Sequence, residues 1–510
     1  MFLNALRNEF NKTTTWNGAP AFKSTQSDIL DLYAVAGNAR SMGEEKLADM
    51  IGRAMAENAE LAIRVIFYLA DIRGGQGSRD TLRAAIKFLV RRYPTQARAL
   101  INLIPEYSRW DMLYEFVGTE LERDAVAVLK SEVKDAIKNK RNSLVFKWLK
   151  SVNTSSDESN KLGRLTAKYF GMNERDYRKM LSQYRSELGI VEVAMSADEW
   201  NAIDYEKLPS KAGLQYREAF KRHDLERYQS YLKAVIRSVE DETAPKVKMN
   251  MNVAYPHEVV GKYRLEFGNM RFSGANVMSQ DLTLEAAWKS LPNYLADNNE
   301  NMIVVADVSG SMYANIGKSD MQNIDLSVGL AIYCAEHMNG ELKNHYMTFS
   351  DTPELVRLNP NATLRDKINQ VYQTGVGFST NVDAVFKKLL DVAKKNHLSQ
   401  ADLPSTVLMI SDMQFNCSNV RGVTNYEMWV RMFNQAGYKL PQIVFWNVAA
   451  AENTPVTMDQ KGTVLISGAS PVVLKFIFTG ELLTPYDLML QVVNRERYNP
   501  VAEVFHNTRA

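Results

Sequence analysis

The sequence predicts an α-helical repeat array followed by a C-terminal, doubly wound α/β domain. Three observations predict it. Residues 25 to about 240 place apolar side chains at three- and four-residue steps, with short polar joints between the runs. Beyond the Asn/Asp-rich "ADNNEN" at residues 296–301, short apolar runs alternate with amphipathic segments. No run of about 18 apolar residues occurs anywhere, which excludes a membrane-spanning helix. The expected units are residues 1–295 and 296–510.

In the first unit, "EEKLADMIGRAMAENAELAIRVIFYLADIR" sets Leu47, Ile51, Met55, Ala59, Ile63, Ile66 and Leu69 on one face of two successive helices. "RGGQGSRD" breaks the pattern at Gly74, Gly75 and Gly77, and a new helix runs through Leu82, Ile86 and Leu89. It lacks the Gly-Lys-Ser/Thr ending of a phosphate loop and no strand precedes it, so a helix–helix turn is expected. The segments that follow are short, and none can bury its apolar face alone, which suggests stacked helical pairs. They show no clean repeat period. That excludes a regular tetratricopeptide or ankyrin array and leaves an irregular, HEAT-like one.

In the second unit strands are expected at 302–306, 344–350, 406–411, 442–447 and 463–467. Helices are expected near 323–338, 363–373, 382–396, 424–436 and 485–495. This alternation means a largely parallel sheet, whose functional crevice lies at the carboxyl ends of its strands.

Net charge is only +2, so the whole chain is no obvious polyanion binder. The balance is uneven, however: residues 134–185 carry 13 Lys/Arg against 5 Asp/Glu. Attraction to phosphate depends on such local fields rather than on the total. Cys334 and Cys417 provide neither a disulfide framework nor a thiolate cluster and read as buried thiols in a reducing compartment. The first residues lack the basic stretch and apolar run of a signal peptide. A soluble, cytoplasmic protein is expected.

Three loops carry unusual polar content. "DVSGS" supplies Asp307, Ser309 and Ser311; "GVGFSTNVDAVF" supplies Thr380 at the head of a helix; "VLMISDMQF" ends an apolar strand in Asp412. Taken singly, Asp307, Ser309 or Thr380 could cap the helix that follows it. Asp412 has no evident packing role. Together, carboxylates and hydroxyls supply hard oxygen ligands that suit Mg²⁺ or another divalent cation, with a position left free for an acidic partner. No Ser/His/Asp arrangement stands out among six histidines, and His223 reads as structural.

Asp307-Val308-Ser309-Gly310-Ser311, then Thr380, then Asp412 resemble the metal-ion-dependent adhesion site of von Willebrand factor A domains. The resemblance implies that these five residues coordinate Mg²⁺, directly or through water. In the helical half, "SLVFKWLKSVNTSS", the stretch from "GMNERDYRKM" to "LPSKA", and "YREAFKRHDLERYQSYLKAV" are similar to the TROVE module of Ro ribonucleoprotein-like proteins and their bacterial and phage relatives. That resemblance implies a ring of HEAT-like helices closed by the A domain, binding single-stranded or structured RNA.

The residues themselves add to the RNA expectation. Lys147, Lys150, Lys161, Arg164, Arg178, Lys179 and Arg185 are the candidate contacts, interleaved with Trp148, Tyr169, Tyr177 and Tyr184. Cations track phosphate, and aromatic or guanidinium planes stack on unpaired bases. Amphipathic helices with basic outer faces and aromatic cores would show the same composition. The expectation is a non-enzymatic RNA-binding scaffold that captures single-stranded or misfolded RNA. The alternative is a protein-interaction module or virion-assembly component whose metal site takes a partner's Asp or Glu.

Overall fold

A computed structural model describes residues 2–268, 281–298, 300–317, 319–374, 381–416, 424–477 and 482–508. The helical part starts at Asp28–Val35 and continues to Leu225–Glu240 in short helices. Local chemistry explains the joints. The helix Glu44–Glu57 opens with two acids at its positive end and stops at Asn58. The Asn58 side chain then accepts the Leu61 N–H at 3.1 Å and caps the next helix, Ala59–Ala70. Leu47, Ile51, Met55, Ala59, Ile63, Ile66 and Leu69 are all buried, as their spacing predicts.

"RGGQGSRD" is a helix–helix turn. Its amides are taken up by carbonyls of the preceding helix and its end: Gly75 and Gly77 donate to Asp71, Gln76 to Tyr68 and Ser78 to Leu69. A Cβ on Gly75 would stand 1.8 Å from the Tyr68 carbonyl oxygen, so only glycine fits there.

A hairpin of β1 (Lys12–Thr14) and β2 (Pro20–Phe22) precedes the helices. The C-terminal sheet comprises β3 (Met302–Ala306), β4 (His345–Thr348), β5 (Leu355–Arg357), β6 (Thr406–Ser411), β7 (Gln442–Asn447) and β8 (Thr463–Ser467). Their order is β5-β4-β3-β6-β7-β8, parallel except for the antiparallel edge strand β5. Alternate residues face opposite sides. Val304, Ala306, Leu408, Ile410, Val444 and Trp446 pack with the N-terminal helices and with Asn323–His337. Ile303, Val305, Val407, Met409, Ile443 and Phe445 pack with Val382–Lys395 and Asn425–Gln435. Helices therefore cover both faces, which fully buried strands require.

The two ends of the chain cross over. The β1–β2 hairpin joins the α/β part through the bridge Phe22–Thr454. The last helix, Asn499–Asn507, packs on the N-terminal helices, and the Tyr107 hydroxyl donates to Arg497 O at 2.5 Å. Fully buried Asp71 is held by Arg497 and by the Tyr498 hydroxyl. One continuous apolar core thus joins residues of both units. No helix among the described residues is long and apolar enough to cross a membrane.

Candidate cation site and basic surface

Asp307 follows β3 and Asp412 follows β6, the two strands from which the sheet is built outward in opposite directions. Chain connections diverge at such a point and leave a crevice at the carboxyl strand ends. Ala306 pairs with Ile410, and the Asp307 N–H donates to Ile410 O at 2.9 Å, so both acids emerge at the same end.

Asp307 is wholly buried and Asp412 is 5% exposed. One Asp307 oxygen accepts the Ser309 N–H at 2.9 Å and the other accepts the Ser411 hydroxyl at 2.8 Å. Asp412 Oδ1 accepts the Gln414 N–H at 3.1 Å. The hydroxyls of Ser309 and Ser311 lie 3.1 Å apart. Ser309 precedes the short turn Gly310–Tyr313, yet its side chain caps nothing. Burial, and next the charge of Asp412, push the Asp307 carboxyl up to about 6. Neither acid forms an ion pair among the described residues. A buried acid pair of this kind is costly unless a cation neutralises it.

Thr380 lies outside the described residues. Its neighbour Asn381 caps the helix Val382–Lys395, accepting the Ala384 N–H at 3.1 Å and donating to Asp351 at 2.9 Å. Asp383 turns inward and accepts the Trp429 indole N–H at 2.7 Å. Among the described residues no group of three or more His, Cys, Asp or Glu is placed to hold a metal. The donors that fit a divalent cation here are two carboxylates and two hydroxyls, so most of its shell would be hydroxyl and water.

The loop after Asp412 is clasped by the N-terminal segment, a contact that sequence periodicity could not reveal. The Thr15 hydroxyl donates to Phe415 O at 2.7 Å, the Trp16 N–H to Gln414 Oε1 at 2.8 Å, and Gly18 bridges to Asn416. Trp16 itself is 91% exposed.

The basic candidates fall into three situations. Lys161, Arg178 and Lys179 are exposed on the helices Asp157–Phe170 and Glu174–Glu187 and form no ion pair among the described residues. Arg164 is exposed too, 3.1 Å from Glu174. Lys147 and Lys150 are half-buried beside Trp148. The Lys147 ammonium lies 5.9 Å from the Trp148 ring centre and 3.8 Å from Glu192, and Lys150 lies 3.7 Å from Asp111. Arg185 points inward. It donates to Phe146 O (2.9 Å), Leu149 O (2.6 Å) and Ser151 Oγ (2.8 Å), fastening the turn that carries Lys147 and Lys150. The geometry adds Arg109, whose guanidinium covers the Trp148 ring at 3.9 Å. Nothing local in sequence links residues 109 and 148. His223 stacks on Trp200 at 4.3 Å, a packing role.

Two family matches divide the chain. A domain of unknown function, DUF2828, matches residues 15–108 and 146–300, and another, DUF7788, matches residues 301–502. The second match contains both strand-end acids. A protein of Acanthamoeba polyphaga mimivirus, described as uncharacterized, is 27% identical and aligns with 96% of this chain and 89% of its own length.

Proposed function

We propose that the protein is a non-catalytic RNA-binding scaffold resembling Ro/TROVE proteins. Its HEAT-like helical half would capture single-stranded or misfolded RNA. Its von Willebrand factor A-like half would hold Mg²⁺ at Asp307, Ser309, Ser311, Thr380 and Asp412. The observation that supports RNA most directly is the cationic surface of residues 147–179, with Trp148 half-buried at its edge. There Lys161, Arg178 and Lys179 have no compensating acid among the described residues, and Arg109 presents a guanidinium plane over Trp148. Unpaired exposed cations release counterions when they meet phosphate, and a guanidinium plane offers a base a stacking surface. The test is RNA binding by the purified chain across a salt titration. Absence of binding at low salt would sink the proposal.

A second reading draws on Trp16. A nearly bare tryptophan, fastened beside the loop that follows Asp412, is the kind of anchor that dominates protein interfaces. On this reading the cation takes an Asp or Glu from a protein partner. Substituting Asp307 by Ala would then abolish partner capture, whereas RNA binding on the helical half would persist.

A further inference from the structure

A cleft of about 670 Å³ opens where the helices Glu44–Glu57 and Arg79–Arg92 meet Ile316 and Ser319. Among the described residues its charged lining is Arg40, Arg79, Arg83 and Lys87 against Glu44 and Asp80. The acids are already engaged. Asp80 is shared by Arg40 (3.3 Å) and Arg83 (2.9 Å), and Glu44 holds Lys87 at 2.6 Å. Arg83 also reaches Glu115 at 2.8 Å, and Asp111 pairs with Arg109 and Lys150.

Arg79 is left over. It is partly buried, and its side chain makes no hydrogen bond or ion pair among the described residues. Burial, followed by the charges of Arg109, Arg40 and Arg83, lowers its pKa to about 10, with Asp111 opposing. An uncompensated guanidinium among other cations is unfavourable unless an anion joins it. The fork of a guanidinium matches the paired oxygens of a phosphoryl group. Apart from Ser319, the rest of the described lining is apolar, with Met42, Leu47 and Ile316 among it, and the volume is that of a small-molecule site.

We propose that this cleft binds a nucleoside phosphate, its phosphoryl group on Arg79 with Arg40 and Arg83 beside it, and its uncharged part on the apolar wall. The assignment does not depend on the RNA reading, because a free nucleotide and the phosphorylated end of an RNA share this chemistry. The amides of Gly75, Gln76, Gly77 and Ser78 take no part, being bonded to carbonyls.

The full chain is titrated calorimetrically with AMP and with a short 5′-phosphorylated oligoribonucleotide, its unphosphorylated counterpart serving as control. Saturable AMP binding identifies a free nucleotide as ligand. Binding only of the phosphorylated oligonucleotide identifies an RNA end. In both cases Arg79→Gln weakens binding at least tenfold. Because Arg79 has no partner to lose, that variant also melts no lower than the parent without ligand, so a loss of binding is not a loss of fold. The proposal is overturned if neither phosphate-bearing probe binds, or if parent and Arg79→Gln bind alike.

Discussion

The strand-end acids and the Arg79 cluster are both imbalances of charge, of opposite sign and differently built; the acids are buried, the cations partly exposed. Asp307 and Asp412 are fixed by the backbone of adjacent strands, and each accepts hydrogen bonds from its own loop. Their geometry owes little to other charged groups. The cations around Arg79 come from helices and turns far apart in sequence and are positioned through shared acids such as Asp80 and Asp111. Removing one member of the first cluster relieves a repulsion. Removing Asp111 from the second leaves Arg109 and Lys150 without their acid. The lesson is that the sheet fixes a pair of acids rigidly through its own backbone, whereas the helical half spreads cations over a broad field held by shared acids.

The largest expected effect falls on the field. Reversing Lys147, Lys150 and Arg178 together to Glu is expected to weaken RNA binding on the order of a hundredfold at low salt and to flatten its salt dependence. Fluorescence anisotropy measures both, and an unchanged affinity would break the contrast. The next effect falls on the rigid site. Mg²⁺ at a hundred times its Kd is expected to stabilise the chain by about 2.7 kcal/mol at pH 7.5, read from thermal melts. Protons compete for Asp307, so this stabilisation fades as pH falls through about 6. Asp412→Asn should remove it.

Arg185→Ala is expected to destabilise the chain by about 2 kcal/mol, since three hydrogen bonds to the 146–151 turn go with it. Lys161→Ala and Lys179→Ala, on open surface, should each stay within about 0.5 kcal/mol. Smaller than the Arg185 effect is that of Asp307→Asn without divalent cations. A carboxylate whose pKa is raised on folding weakens the fold as pH rises from about 4 to 6, and the penalty persists above that. Asn removes it, so the metal-free variant should be more stable at pH 7 by about 1 kcal/mol, with the gap closing below pH 4. Asp31, also pushed up to about 6 by burial, contributes equally to both proteins and cancels.

Much of the α/β part is legible because its central strands are unbroken apolar runs, and β3, β6, β7 and β8 occupy the predicted residues. The edge strand β5 is not. It has three residues, of which only Val356 is buried, too few to establish an alternation. The hairpin at residues 12–22 is missed for the same reason, since β1 and β2 are three residues each and find their order on the C-terminal half. Asp307, Ser309 and Ser311 can be read together because one turn carries them. Ser411, which donates to Asp307, reads simply as the end of a strand. Arg40, Arg79 and Arg109 meet only when three separate segments pack, so linear charge counts direct attention to residues 134–185 instead. Within that stretch the count does not distinguish exposed Lys179 from inward-facing Arg185, a difference set by tertiary packing.

The most direct test of the central claim is the affinity of the full chain for single-stranded RNA as a function of salt, measured in parallel with the Asp307→Ala variant. The account predicts binding that weakens steeply and linearly on a log–log plot as salt rises, with the variant following the parent. No binding at low salt, or binding lost in Asp307→Ala while that variant stays folded, would contradict it.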